Sequence, residues 1–484
     1  MKKSILSIFT VSVSVVFIVL SFSACKKDKI SNDSSHKLSF SLDILSFDTL
    51  FSTVGSSTRI FKIYNPNDEK VKISSISLGG GSTSFFRVNL NGKSAVSFAD
   101  IELRANDSLW VFAEVTIDPS NSNNPFLVKD SLVLITNGNI QQVNFEAFGQ
   151  DVYFHKPTDG TSSYELTCGE TWKSDKPHLV FGTAIVDTNC QLTIEAGSKV
   201  YFHANGGIQV MKGATLQVNG TRINPVYFEG DRLEPWYSEV AGQWLGIYLE
   251  DESVDHELSF LHLKNAQIGL FCKADIKANT AALLLDNCSF INCAGQGLYF
   301  QSTSVQAYNL LVGNCISNEL LIEMGGTYDF KHATFANYVG ANAGASSSGN
   351  SVFIKNWGIE DGSTVDNSLE KCDFYNSIIY GSERDELTLS DNGATFNYSI
   401  NNSLLAIQGK SNSDAEFIGC VFNSDPMFYE ESKGYFLLSS GSAAVDIGDL
   451  VLVQDEITNL GTDLKGDSRM LDGKPDAGVY ELIP

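Results

Sequence analysis

The sequence predicts an all-β protein: a β-sandwich followed by a solenoid of short strands. Three observations carry this. Gly is abundant and Pro scarce, 40 against 10 in 484 residues, which suits a chain of many tight turns and few strand breaks. From about residue 165 onward, strand-like runs of three to five residues alternate with Gly-centred turns, and no apolar residues recur at helical period. Before residue 150 the runs are longer and alternate apolar with polar, as strands with one buried face do.

The N-terminus comes first in the chain. Lys2 and Lys3 precede an apolar stretch from Ile5 to Phe22, which ends in Ser23-Ala24-Cys25. A basic start, a short apolar core and small residues before a cleavage point read as a secretory signal over residues 1–24. The Ser-Ala-Cys ending resembles a bacterial lipobox. That resemblance implies an exported outer-membrane lipoprotein, on the cell-surface or periplasmic face, with Cys25 acylated and the lipid bilayer as its partner. Each buried acyl CH₂ contributes about 0.8 kcal/mol to such anchoring. Residues 25–37 read as a polar tether.

Residues 38–150 form the sandwich. The run Ser131 to Thr136, then Asn137-Gly138, then Ile140 to Phe148 is a hairpin signal, because Asn-Gly supplies the positive φ angles of a two-residue turn. Val143, Phe145 and Ala147 alternate with Asn144 and Glu146. Strands stop at Asn65-Pro66 and Asp118-Pro119, since proline has no N–H for a ladder. The order Phe47 to Gly55, Phe61 to Asn65, Val111 to Pro119 and Val143 to Gly149 resembles the immunoglobulin-like domains of the abnormal-spindle/hydin type. Those domains are mostly spacers or binding modules, so the resemblance implies no chemistry.

Residues 165–484 form the solenoid. Leu192-Thr-Ile-Glu-Ala-Gly197, Gly213-Ala-Thr-Leu-Gln-Val-Asn-Gly220-Thr221 and Pro225-Val-Tyr-Phe228 resemble the opening coils of bacterial right-handed parallel β-helix surface proteins, the pectate-lyase-like fold. Looser repeats follow, each ending in Asn: Asn265, Asn292, Asn314, Asn337 and Asn376. Their spacings of 27, 22, 23 and 39 correspond to one coil each, the last with a Gly/Ser insertion. Neighbouring coils lie about 4.8 Å apart, so these amides are expected to stack and hydrogen-bond from coil to coil. Cys288, Cys315 and Cys372 sit near the repeated Asn and read as small interior residues, while Cys168 and Cys190 are the pair most plausibly bridged. The segment from Asp425 onward resembles the tails of related β-helix proteins and is expected to cover the last coil, with Asp446, Asp476 and Arg469 bracing its turns.

For function, the formal net charge of -24 repels phosphate backbones and no Lys/Arg stripe offsets it, which excludes nucleic acid as a partner. No Asp-Asp, Gly-His-Gly, Arg-x-Pro-x-x-Arg or HExxH pattern occurs, and no cysteine or histidine spacing suits zinc. The expected metal and cofactor content is none, calcium at acidic turns being the sole candidate. The candidate ligand-binding residues lie between Glu229 and Glu252: Asp231, Glu234, Trp236, Tyr237, Glu239 and Tyr248. Aromatic faces suit sugar C–H surfaces and carboxylates suit sugar hydroxyls. His256 and His262 read as satisfied polar residues on a coil. The leading expectation is an anchored, non-catalytic β-helix that binds a polysaccharide or a cell-surface protein. A polysaccharide lyase or glycoside hydrolase is the alternative, and an adhesin or structural stalk the third.

Overall fold

The computed structural model describes residues 29–120, 123–158, 160–274, 281–339, 349–453 and 460–483. The signal segment and Cys25 lie outside the described residues. The chain divides into two compact units, Met1–Asp151 and Val152–Pro484.

In the first unit a six-stranded and a five-stranded sheet share one core. The long hairpin Phe126–Thr136 and Asn139–Gln150 turns at Asn137 and Gly138, both at positive φ. Phe47 and Phe145 from one sheet meet Phe61 and Phe86 from the other, with ring centroids 5.4 to 6.1 Å apart. Asn65 ends its strand by tying down a neighbouring loop: its buried amide donates to the carbonyls of Glu69, Leu103 and Arg104. Ile30–Ser31 already pairs in parallel with Lys70–Val71, so laddered chain begins inside the stretch that composition marks as tether.

The second unit is a parallel β-helix. Each coil contributes strands to three faces, and every ladder between coils is parallel. The first face contains Gly207–Val210, Gly246–Leu249 and Leu270–Cys272; the second contains Thr215–Asn219, His256–Ser259 and Leu283–Asp286. These two faces join in one 17-stranded sheet, since Leu298–Tyr308 and Leu320–Lys331 run through both. The third face is an 11-stranded sheet that includes Lys199–Phe202, Val226–Gly230, Leu261–Lys264 and Ser289–Ile291. Inward residues such as Ile208, Leu216 and Phe228 stack into one continuous core and are fully buried.

The corners explain the asparagines. Between the second and third faces a single left-handed residue turns the chain in six successive coils: Phe260, Asn287, Asn309, His332, Asn376 and Asn402, at φ of 48 to 55°. A second corner follows the third face, at Asn265, Asn292 and Asn314. Asn tolerates this conformation at low cost. The amides do stack: Asn292 donates to Asn265 Oδ1 at 2.7 Å, and Asn309 to Asn287 Oδ1 at 3.1 Å. Asn337 follows Asn314 in register but remains in its strand and donates to the Cys315 carbonyl. Asn376 belongs to the other corner. Its amide nitrogen lies 3.0 Å from His332 Nε2, and the position that follows Asn337 on the next coil is Gly381. One residue type serves two corners, and sequence spacing cannot separate them.

Cys168 and Cys190 form a disulfide with Cα atoms 4.9 Å apart. Cys288, Cys315 and Cys372 are buried and free.

The tail differs from its expected role. The described residues from Asp425 onward pack along the outer side of the third face, not solely at its last coil. There Leu311, Ala336, Ile378 and Leu404 point outward and pack against Phe428, Phe436, Leu438, Ala477 and Val479. Gly313 is required at the seat of Phe436, because a Cβ there would come within 2.3 Å of the ring. Arg469 is fully buried, but its ion-pair partner is Glu481 at 3.3 Å, not an aspartate, and it also donates to Asn309 Oδ1 on the solenoid. Asp476 instead accepts the backbone N–H groups of Asp446 and Leu482. Burial first, then nearby Asp476, pushes the Glu481 carboxyl up to about 8.

Candidate functional site

The tail leaves the earlier part of the third face uncovered. Two outward columns run along it by strand register. One is Lys199, Tyr227, His262 and Ser289, each paired with the next. The other begins with Tyr201 and Glu229 and continues with Lys264, whose ammonium lies 3.2 Å from Glu229. With Glu239 on one wall and Lys433 on the other, they enclose an open groove of about 620 Å³.

Alternation builds this surface. In Val226–Gly230, Val226 and Phe228 point into the core while Tyr227 and Glu229 point out; in Leu261–Lys264, Leu261 and Leu263 point in while His262 and Lys264 point out. Stacking of coils then brings the Tyr227 and His262 rings to 5.4 Å, nearly parallel at 29°. Tyr227 is 41% exposed and lines the groove. His262 Nδ1 lies 2.6 Å from Ser289 Oγ, and burial holds the imidazole below its ordinary pKa, which favours the neutral form.

The wall that carries Glu239 is the loop between Gly230 and Gly246. Trp244 anchors its end, buried flat on Phe202 at 4.0 Å with its N–H donated to the Lys264 carbonyl. Gly246 is obligatory next to it, for at φ 122° a Cβ would sit 1.7 Å from the Ile268 carbonyl oxygen. Gln243 donates to the carbonyls of Tyr237 and Val240, and Asn265 to that of Ser238. The Asn corner therefore supports the groove wall as well as the coil.

The six candidate residues separate. Glu239 lines the groove. Asp231 lies 2.6 Å from His203 Nδ1, and burial raises its carboxyl pKa. Glu234 takes a two-point bond from Arg232, whose guanidinium stacks on Tyr237 at 3.9 Å. Trp236 stays 56% exposed beside Tyr237 on the same loop. Tyr248 is on the first face, in a column with Phe271 and Tyr299, away from these five. Tyr201, Tyr227, Ser289 and three lysines are groove residues that sequence reading passes over, because they come from four successive coils and from the tail. His256 is a satisfied buried residue, accepting the Leu216 N–H and bonding Ser253. His262, read in the same way, opens instead onto the groove. Among the described residues no cluster of three or more His, Cys, Asp or Glu side chains is arranged to hold a metal ion.

No protein-family model matches the chain, and no curated protein matches it. Among solved structures, the A-module of Azotobacter vinelandii mannuronan C-5 epimerase AlgE6 is similar over 56% of this chain and 90% of that one, at 11% identity and a TM-score of 0.27. The Agl-KA catalytic domain is similar over 75% and 79%, at 10% identity and a TM-score of 0.26. A family 123 glycoside hydrolase from Clostridium perfringens matches over 24% of this chain, which spans only 26% of that enzyme's length, at 10% identity and a TM-score of 0.18.

Proposed function

We propose that this protein is an envelope-anchored lipoprotein whose β-helix holds a glycan in the groove on its third face. The observation that carries the reading is the Tyr227–His262 ring platform, bordered by lysine and glutamate side chains on a rigid sheet. Ring faces take sugar C–H surfaces, and the flanking charges take hydroxyls. Anchoring rests on the lipobox-like Ser23-Ala24-Cys25. The preceding sandwich, taken as immunoglobulin-like, serves as a spacer, and the coil is taken as right-handed, the hand that strand twist favours.

Polysaccharide cleavage is the second reading. A neutral His262 beside Ser289 at the groove surface has the protonation state that a general base needs. One experiment separates the two. The soluble chain from Lys26 onward, without the lipid-bearing Cys25, is passed over immobilised plant, algal and host polysaccharides, and the eluates are assayed for new reducing ends. Retention without new ends, lost in Tyr227→Ala, supports binding. New ends, lost in His262→Ala, support cleavage. No retention and no new ends on any polymer reject the groove as a glycan site.

A further inference from the structure

We infer that the sandwich stands directly on the lipid bilayer, with the outer side of its long hairpin's tip in the phospholipid headgroup layer; the inference rests on the anchoring reading above. The acylated position in that reading is Cys25, and Ile30 is already laddered to Lys70. Five peptide steps separate Cys25 from Ile30, and at full extension they span no more than about 18 Å. The segment that follows Ile30 adds no slack. Asn137 Nδ2 donates to the Asp33 carbonyl at 3.0 Å, and Asn139 Nδ2 donates to that of Ser34 at 2.8 Å. Gln141 takes both backbone groups of Leu38, accepting its N–H at 3.0 Å and donating to its carbonyl at 2.8 Å. The Leu38 side chain is buried in the sandwich core. Chain fixed to the hairpin tip thus extends from Ile30 to Leu38, and the compositional tether shortens to a leash of residues 26–29.

The ladder also fixes which end of the sandwich faces the lipid. Lys70 is the first residue of its strand, which ends at Leu78. Phe126–Thr136 runs antiparallel to that strand, with Leu132 opposite Leu78 and Thr136 opposite Ile73. The turn at Asn137 and Gly138 therefore points toward the anchored end. Just inside the turn Ile135 pairs with Ile140, and their side chains are 37% and 73% exposed. Leaving this pair in water forfeits the free energy of apolar burial. A bilayer interface takes up apolar side chains while the polar groups around them stay hydrated. The short leash holds that interface at a high effective concentration, so a pair too small to bind a membrane alone is kept there. The opposite end of the sandwich, at Ser82 beyond Leu78, lies about 26 Å further from the bilayer, the length of the nine-residue strand between the two ends.

The test uses the full acylated chain in phosphatidylcholine vesicles that carry a nitroxide quencher on the lipid headgroup. A fluorophore is attached through Gln142→Cys, on the same outer side as Ile140, or through Ser82→Cys at the far end. Both positions are exposed, and the free cysteines among the described residues are buried. Loss of most of the fluorescence at position 142 and of none at position 82 is expected. Two further changes, each made in the Gln142→Cys chain, are expected to restore fluorescence while the chain stays on the vesicles. One is a long Gly/Ser insertion after Lys27, which lengthens the leash; the other is Ile140→Ser, which removes the larger part of the exposed apolar surface. Equal quenching at the two positions, more at position 82, or quenching that neither change relieves overturns the headgroup contact and leaves the anchoring intact. An acylated chain that does not float with the vesicles overturns both.

Discussion

The third face of the solenoid is one continuous sheet with two different outer surfaces. In the earlier coils its outward column reads Lys199, Tyr227, His262, Ser289; in the later coils the same column reads Leu311, Thr334, Ile378, Leu404. The backbone and the inward core are alike throughout. Only the outward residue type changes, and it changes where the tail takes over. The apolar half is covered by Phe428, Phe436 and Val479; the polar, aromatic half is left open. A parallel β-helix strand thus carries two independent messages, an inward one that specifies the coil and an outward one that specifies what lies against it.

The covered half is where substitution should cost most. Arg469→Met removes the bonds that the guanidinium donates to Glu481, Asn309 and the Val479 carbonyl and leaves these buried acceptors without that donor; a loss of about 3–5 kcal/mol is expected in urea denaturation. If the loss falls within experimental error, the buried pair does not secure the tail. Phe436→Ala empties the seat over Gly313 and is expected to cost a similar or slightly smaller amount, about 3–4 kcal/mol, together with faster proteolytic cleavage of the tail. Cleavage at the wild-type rate would mean that the tail docks without this ring.

The pH dependence sharpens the comparison from the first coils of the same face. His155 Nε2 and His178 Nδ1 are 2.8 Å apart, and His178 Nε2 faces the Lys173 carbonyl at 2.8 Å. The carbonyl requires the proton on His178 Nε2, so Nδ1 accepts from His155. Burial lowers both imidazoles to about 4. An unfolded histidine titrates near 6.5, so this contribution to stability is complete above that pH and is lost as pH falls from there through about 4. Melting temperatures measured between pH 7 and pH 4 should fall over that window. His178→Gln should flatten the slope, and an unchanged slope would remove the pair as its cause.

The smallest stability effect belongs to the open half. Tyr227→Ala removes a ring with no covering segment and should change stability by less than about 1 kcal/mol, while glycan retention drops. A large loss of stability there would mean that the ring is structural, as its counterparts under the tail are.

Much of this was legible in the sequence. The Asn137-Gly138 hairpin, the short strands between Gly turns and the stacked Asn265 and Asn292 follow from turn chemistry and spacing that survive in one dimension. The tail's position was not, although the evidence was present: outward Leu311 and Ile378 are apolar on a face that, uncovered, would be wet. Reading them requires the register, and coil lengths vary too much for the sequence to supply it. Asn376, spaced like the other repeat asparagines, falls at the other corner for the same reason. The groove was the least legible feature. Its residues arrive a few at a time from four successive coils and once from the tail, so no local window contains them, whereas the loop from Asp231 to Glu239 is a compact window but places only Glu239 at the groove.

The central claim is that the open half of the third face, and no other surface, receives the ligand. Hydroxyl-radical footprinting of the mature chain, with and without the polymer it retains best, tests this directly. Protection of Tyr227 and His262 is expected, with Tyr248 on the first face oxidised at an unchanged rate. Protection of Tyr248, Phe271 and Tyr299 with Tyr227 unaffected would contradict it and move the site to the first face.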